Sequence, residues 1–263
     1  MRVLRAILFV LFVTMLSQNA NAQLTGPAPK PSATEQHAAP QKKKAATQVQ
    51  DDPRYAEALQ YLHSLGYWIS KSTSPKNYAN RQAIYAWQKV EGRKRTGVLK
   101  DDDYAAVMSS QRPTAHDDMN RYHVEVDLNR QVLFTVDSLN RVAWIVPVST
   151  GSGEYFETLD STTGEMHGRY ALTPRGKFKV FYRVTGWKKS QLGLLYDPLY
   201  VVGGVAIHGA QQVPPKPASH GCVRIPMYTA DVFYNAVPMG TPVVIFGENP
   251  TKHRNLAASE KDH

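Results

Sequence analysis

From Arg54 onward the apolar residues Tyr55, Ala58, Leu59, Leu62 and Leu65 recur every three or four positions, and Gly66 follows as a stop. That period gathers them on one face of a helix. The run "NRQAIYAWQKVEG" sets Ile84, Trp87 and Val90 on a second such face. A third, "DDDYAAVMSS", opens on carboxylates suited to a helix N-terminus and presents Tyr104, Val107 and Met108. These short amphipathic helices predict a small three-helix domain over residues 51–112, near the lower size limit for a core of its own. "QRPTAHDDMN" reads as a linker, after which the period changes. "YHVEVDL", "QVLFTVD", "VAWIVPVS", "GKFKVFYRV", "YVVGGVAI" and "TPVVIF" are strand-sized, β-branched or aromatic, and separated by Asn, Asp, Ser and Gly. Only "TADVFYNAV", with Val232, Phe233 and Ala236, returns to a helical period. A mainly β domain is thus expected over residues 121–247, then a polar tail over 248–263.

The first 50 residues follow neither period. Arg2 and Arg5 precede an apolar run from Ala6 to Leu16 and small residues at Ala20 and Ala22, the order of a secretory signal over residues 1–22. The apolar run is shorter than the roughly 20 residues that span a bilayer, so no retained membrane span is expected. Residues 23–50 are rich in Pro, Ala, Lys and Gln and read as a flexible linker. The chain is thus expected to be exported, to the periplasm or cell wall. The formal charge is +9, but the two leading arginines and residues 23–50 carry more than half of it. The remainder is a modest basic excess, compatible with attraction to an anionic envelope polymer. It lacks the basic stripe with interleaved aromatics of a nucleic-acid binder, so no nucleic-acid partner is expected.

The chain holds one cysteine, Cys222, in "AIHGAQQVPPKPASHGCVRIP". One thiol excludes an intramolecular disulfide, so stability must come from the core. A lone cysteine can be a small buried hydrophobe. A thiol kept for reactivity needs a base, since little of it is thiolate at neutral pH, and His208 and His220 are both candidates. His208 ends an expected strand, and His220 lies two residues before Cys222, on the same side if the chain is extended. Gly221 permits a turn that brings N–H groups toward a substrate carbonyl, and Ser219 offers a hydroxyl to orient an imidazole or a ligand. Together these residues point to nucleophilic acyl transfer.

"AIHG", "PASHGCVRIP" and "TPVVI", with "VSTGSG" at Val148–Gly153 and "TPRGKF" at Thr173–Phe178, resemble the L,D-transpeptidase catalytic domain, or YkuD domain, over residues 121–246. "LGY", "AIYAWQ" and "TGVL" resemble a peptidoglycan-binding-like helical domain over residues 54–110. The resemblance implies a YkuD-like β-sandwich behind a small three-helix domain. It implies Cys222 as the acylated nucleophile and His208 as general base. His220, Gly221 and Ser219 would shape or position the oxyanion region, and Arg224 and Gly209 would serve substrate binding. Arg224 could grip a carboxylate through two parallel hydrogen bonds. The implied reaction is transfer of a peptidoglycan tetrapeptide stem through a cysteinyl thioester, with release of D-alanine and formation of a 3→3 cross-link. It needs neither metal nor organic cofactor.

The acceptor stays open at this point: a neighbouring stem, a protein amine of the wall, or water, which would make the enzyme a carboxypeptidase. Endopeptidase activity and a non-catalytic wall-binding protein also stay open. Only residues 209–218 separate His208 from Ser219, and Pro214, Pro215 and Pro217 should stiffen that short loop. Tyr182, Trp187 and Tyr196 could line a substrate channel, though core packing is the expectation for most of them.

Overall fold

The computed structural model describes residues 52–72, 74–159 and 162–250; the expected signal and linker, and residues 251–263 of the tail, lie outside the described residues. Three helices come first: α1 (Pro53–Ser64), α2 (Tyr78–Val90) and α3 (Asp101–Ser109). Their starts are fixed locally. The Asp52 carboxylate accepts from the Arg54 N–H at 3.0 Å, Asn77 Oδ1 from the Asn80 N–H at 3.1 Å, and Asp103 from the Lys100 N–H at 2.8 Å. After α1 the chain turns at Gly66, whose φ of +99° suits glycine.

Strands follow as β1 (His123–Asp127), β2 (Val132–Val136), β3 (Val142–Pro147), β4 (Tyr155–Leu159), β5 (Met166–Tyr170), β6 (Gly176–Lys179), β7 (Tyr182–Arg183), β8 (Trp187–Ser190), β9 (Gly193–Val202), β10 (Val205–Ala210) and β11 (Val223–Pro226). Then come α4 (Met227–Ala236) and β12 (Pro242–Phe246). The first sheet has the order β3-β2-β1-β12-β6, with β1 and β12 parallel. The second has the order β11-β10-β9-β7, with β8 also on β9 and with β10 and β11 parallel. β4 and β5 form a separate hairpin.

Two apolar clusters use opposite faces of the first sheet. Val124, Val126, Leu133 and Val146 meet Leu199, Ile207, Val223 and Ile225 of the second sheet, with Phe233 of α4 closing one side. This is the interior of the sandwich. On the other face Val132, Phe134, Val136 and Ile145 belong to the same cluster as Leu59, Leu62, Ile84 and Trp87 of the helices. β2 is therefore buried on both sides, which accounts for its nearly continuous apolar run. The helices and the sheet share one core here. The Ile145 N–H also donates to Gly66 O at 2.9 Å, and Trp68 meets Trp144 edge to face at 5.4 Å between ring centroids.

Two expected strands divide. "YVVGGVAI" is a hairpin, with Gly203–Gly204 as the two-residue turn between β9 and β10. "GKFKVFYRV" supplies β6 to the first sheet and β7 to the second, since Val180 N–H bonds toward Thr241 while Phe181 N–H bonds to Tyr200 O. In both cases the residues suit a strand, but a tight turn reverses the chain in the first and a switch of sheet interrupts it in the second. The β4–β5 hairpin has no counterpart among the expected strands: its residues, Tyr155, Leu159, Met166 and Tyr170 among them, are largely exposed, and its apolar positions do not alternate regularly with polar ones.

Candidate active site

The short β10 and β11 strands lie parallel, with Ile207 level with Val223 and His208 level with Arg224. Cys222 immediately precedes β11. Alternation along an extended chain puts Cys222 and Arg224 on one side of β11, the side on which His208 stands on β10. All three border an open cleft of about 630 Å³, together with Ser219 and His220. Its outer wall comes from Arg169 and Tyr170 on β5 and from Trp187, Leu192 and Leu194 on the β8–β9 hairpin.

The loop that presents Cys222 is held by its own polar groups. Ser219 Oγ donates to Cys222 O at 2.6 Å and accepts from the Gly221 N–H at 3.0 Å. Ser219 thus braces the turn from within. Gly221 has φ of +132°, and a Cβ there would lie 2.9 Å from Leu172 O. Gly221 supplies the turn, and its N–H is held by Ser219 Oγ. Its carbonyl accepts from Thr173 Oγ1 at 2.8 Å, and that hydroxyl in turn accepts from the Gly151 N–H at 2.9 Å. Gly151 has its own reason to be glycine: a Cβ would meet Ala171 O at 2.2 Å.

Cys222 is partly buried, and its Sγ accepts from the Ala206 N–H at 3.5 Å. Burial pushes the thiol pKa up, while that N–H, Arg224 and Arg169 pull it partway back. His208 is buried, and desolvation brings its imidazole down to about 4, with Arg224 adding to the shift and the bond to Gly209 O opposing it. The resting pair is therefore a neutral thiol and a neutral imidazole. His208 Nδ1 lies 2.9 Å from Gly209 O. A carbonyl can only accept, so Nδ1 carries the proton and Nε2 keeps a free lone pair.

The remaining expected residues fall into different places. His220 is exposed at the rim, where Phe156 of β4 meets its ring at 4.8 Å. Gly209 faces away from the cleft: a Cβ there would meet Ala230 of α4 at 2.7 Å. It is a close-packing glycine, and its carbonyl holds His208 Nδ1. Of the three aromatics considered for the channel, Trp187 borders the cleft and is half exposed. Tyr196 donates to Asp231 at 2.8 Å, and Tyr182 is exposed against Tyr200. Packing in the core does not account for Trp187 or Tyr182. Arg169 has no signal in the sequence, since it stands on the β4–β5 hairpin; its guanidinium lies 5.2 Å from the Phe156 ring centroid.

The family profile of the L,D-transpeptidase catalytic domain (YkuD) matches residues 121–245. The crystal structure of an L,D-transpeptidase from Xylanimonas cellulosilytica is 35% identical, covering 75% of this chain and 95% of that one with a TM-score of 0.68. That coverage exceeds the segment matched by the family profile, so the likeness extends beyond the catalytic domain. An L,D-transpeptidase from Stackebrandtia nassauensis also matches, at 22% identity over 75% of this chain and 93% of that one, with a TM-score of 0.45. The comparison with curated proteins finds no match. A mainly β fold, the YkuD match and a 35% identical solved chain covered to 95% establish that the chain belongs to the L,D-transpeptidase family.

Proposed function

We propose that this protein is a cysteine-dependent peptidoglycan transpeptidase that forms 3→3 cross-links, with Cys222 as nucleophile and His208 as general base. The observation that carries the reading is the chain's one thiol opening into the cleft beside a strand whose histidine keeps Nε2 unprotonated. In the first half-reaction the Cys222 proton passes to His208 Nε2 as Sγ attacks the carbonyl of the third stem residue. The adduct collapses, the amide C–N bond breaks, and the imidazolium returns the proton to the departing D-alanine nitrogen. In the second, an amine of a neighbouring stem gives a proton to His208 and attacks the thioester. A new amide forms, the C–S bond breaks and the thiol regains its proton. One amide replaces another, so no outside energy source enters.

The neutral resting pair supports proton transfer during attack rather than a preformed ion pair. Arg224 and Arg169 place positive charge at the cleft, suited to stem carboxylates. His220, with the turn held by Ser219 and Gly221, would border the oxyanion. Export to the envelope follows from the substrate; among the described residues no helix is long and apolar enough to cross a membrane.

The test is incubation of the purified protein with disaccharide-tetrapeptide muropeptides, following intact-protein mass and products. A thioester adduct with D-alanine release, lost in Cys222→Ala, is expected. Dimers as products would support cross-linking, whereas tripeptides would replace it with carboxypeptidase activity. A folded, reduced protein giving neither adduct nor turnover would overturn the reading.

A further inference from the structure

α2 sends a lysine into the catalytic domain. Lys89 is 2% exposed, and its Nζ donates to Gln131 O at 3.0 Å and to Val148 O at 2.9 Å. Desolvation pushes its pKa well down, with Arg95 adding to the shift. Gln131 is itself unusual. It is buried, lies in the β1–β2 turn with φ of +63°, and uses every polar group it has. Its carbonyl accepts from Lys89 and from the Val148 N–H; its side-chain amide donates to Leu128 O and Thr150 Oγ1 and accepts from the Thr150 N–H at 2.9 Å. A non-glycine residue held there is a strained position whose surroundings over-determine it.

From Thr150 the connection reaches the nucleophile. Thr150 O accepts from the N–H groups of Ala218 and Ser219, both at 2.9 Å, and Ser219 Oγ donates to the carbonyl of Cys222. Two further side chains of the helical segment grip the same loop from outside: Arg95 donates to Pro215 O at 2.8 Å and Gln82 to Val213 O at 3.2 Å. Within the catalytic domain, Ser149 Oγ donates to Lys216 O at 2.8 Å. A loop with three prolines has few backbone N–H groups with which to fix itself, so its carbonyls are the available handles.

We propose that Lys89 and Gln131 are positioning residues for the transpeptidase reaction, making α2 the support that holds the 211–222 loop and thereby Cys222 in attacking geometry. The helical segment is on this account part of the catalytic apparatus, whatever it binds. The inference rests on the function proposed above for Cys222.

The test uses the full chain. Lys89→Met keeps the apolar stem and removes both donated bonds, and Gln131→Leu removes the link to Thr150. Leu59→Ala, in the α1 core, is a control that lowers stability without touching the loop. Below every unfolding transition, amide exchange at Ala218 and Ser219 is expected to quicken about ten-fold or more in the first two variants and to stay unchanged in the control. The kcat for D-alanine release should fall about ten- to a hundred-fold with KM within about two-fold, again only in the first two. Wild-type exchange and kcat in folded Lys89→Met overturn the proposal, as does an equal loss of kcat in Leu59→Ala. Should Lys89→Met not fold, Gln131→Leu and Arg95→Gln decide on the same two readouts. The exchange readout needs no substrate, so a wild type that releases no D-alanine would sink the transpeptidase reading while leaving the positioning of the loop still decided.

Discussion

The loop that carries Cys222 has two sides, and they are built in opposite ways. Toward the helices it meets Gln82, Arg95 and, through Gln131 and Thr150, the Lys89 amino group, in hydrogen bonds that are buried except for the half-buried one from Arg95. Toward the cleft its neighbour is the β4–β5 hairpin, in which no described residue is buried and which reaches the loop through the Phe156–His220 ring contact. On the proposed reading the buried side sets where the thiol sits, and the open side leaves room for the substrate. The proposed transpeptidation, which admits a donor and then an acceptor, would gain from that division, since only the reacting atoms need fixed geometry.

The largest effect should come from the dry floor of the cleft. His208→Gln removes the lone pair at Nε2 and is expected to lower kcat about 10²- to 10⁴-fold with little change in melting temperature, measured by D-alanine release and thermal unfolding. A loss of only two- or three-fold would assign the base elsewhere. Next comes the shared core. Trp87 is fully buried, and its Nε1–H donates to Ser110 Oγ at 2.8 Å. Trp87→Ala should cost about 3–5 kcal/mol in denaturant unfolding, as one transition reported equally by helical and β signals. Two separated transitions would instead make the helices an independent unit and blur the contrast between the loop's two sides.

Acid should expose the dry side as well. The base role proposed for His208 requires its neutral form, and with its pKa near 4 the acid limb of kcat/KM should fall around pH 4 rather than near 6.5. The same depression has a stability sign. The unfolded chain takes up a proton near pH 6.5 that native His208 refuses until about 4, so this group costs nothing above about 6.5 and progressively destabilises the fold as pH drops through that window. The smallest effect belongs to the rim. Phe156→Ala removes the ring against His220 and under Arg169, and should raise KM a few-fold while shifting stability by about 0.5 kcal/mol or less. A collapse of kcat there would show that the open side also positions the thiol.

The helices, most of the strands and the chemistry-bearing cluster from His208 to Arg224 are legible in the sequence, because helix periods, strand alternation and a short contiguous motif are all local. Capping residues Asp52 and Asn77, and the Gly66 stop, act within a turn of where they stand. What surrounds each element is not local. The tract "KVEGRKRTG" has the composition of a solvated basic run, yet Lys89 is almost wholly buried and Arg95 spans to a loop carbonyl 120 residues away. α2 is covered on more than its apolar stripe because the first sheet and the 211–222 loop close over the face that periodicity assigns to water. Gly209 has the setting of a site glycine in the motif but serves the packing of α4, and Arg169 needs a hairpin with no burial pattern to bring it to the cleft. A residue's period says how it is turned on its own element; which surface it then meets is settled by packing between segments far apart in the chain, and that appears only once the chain is folded.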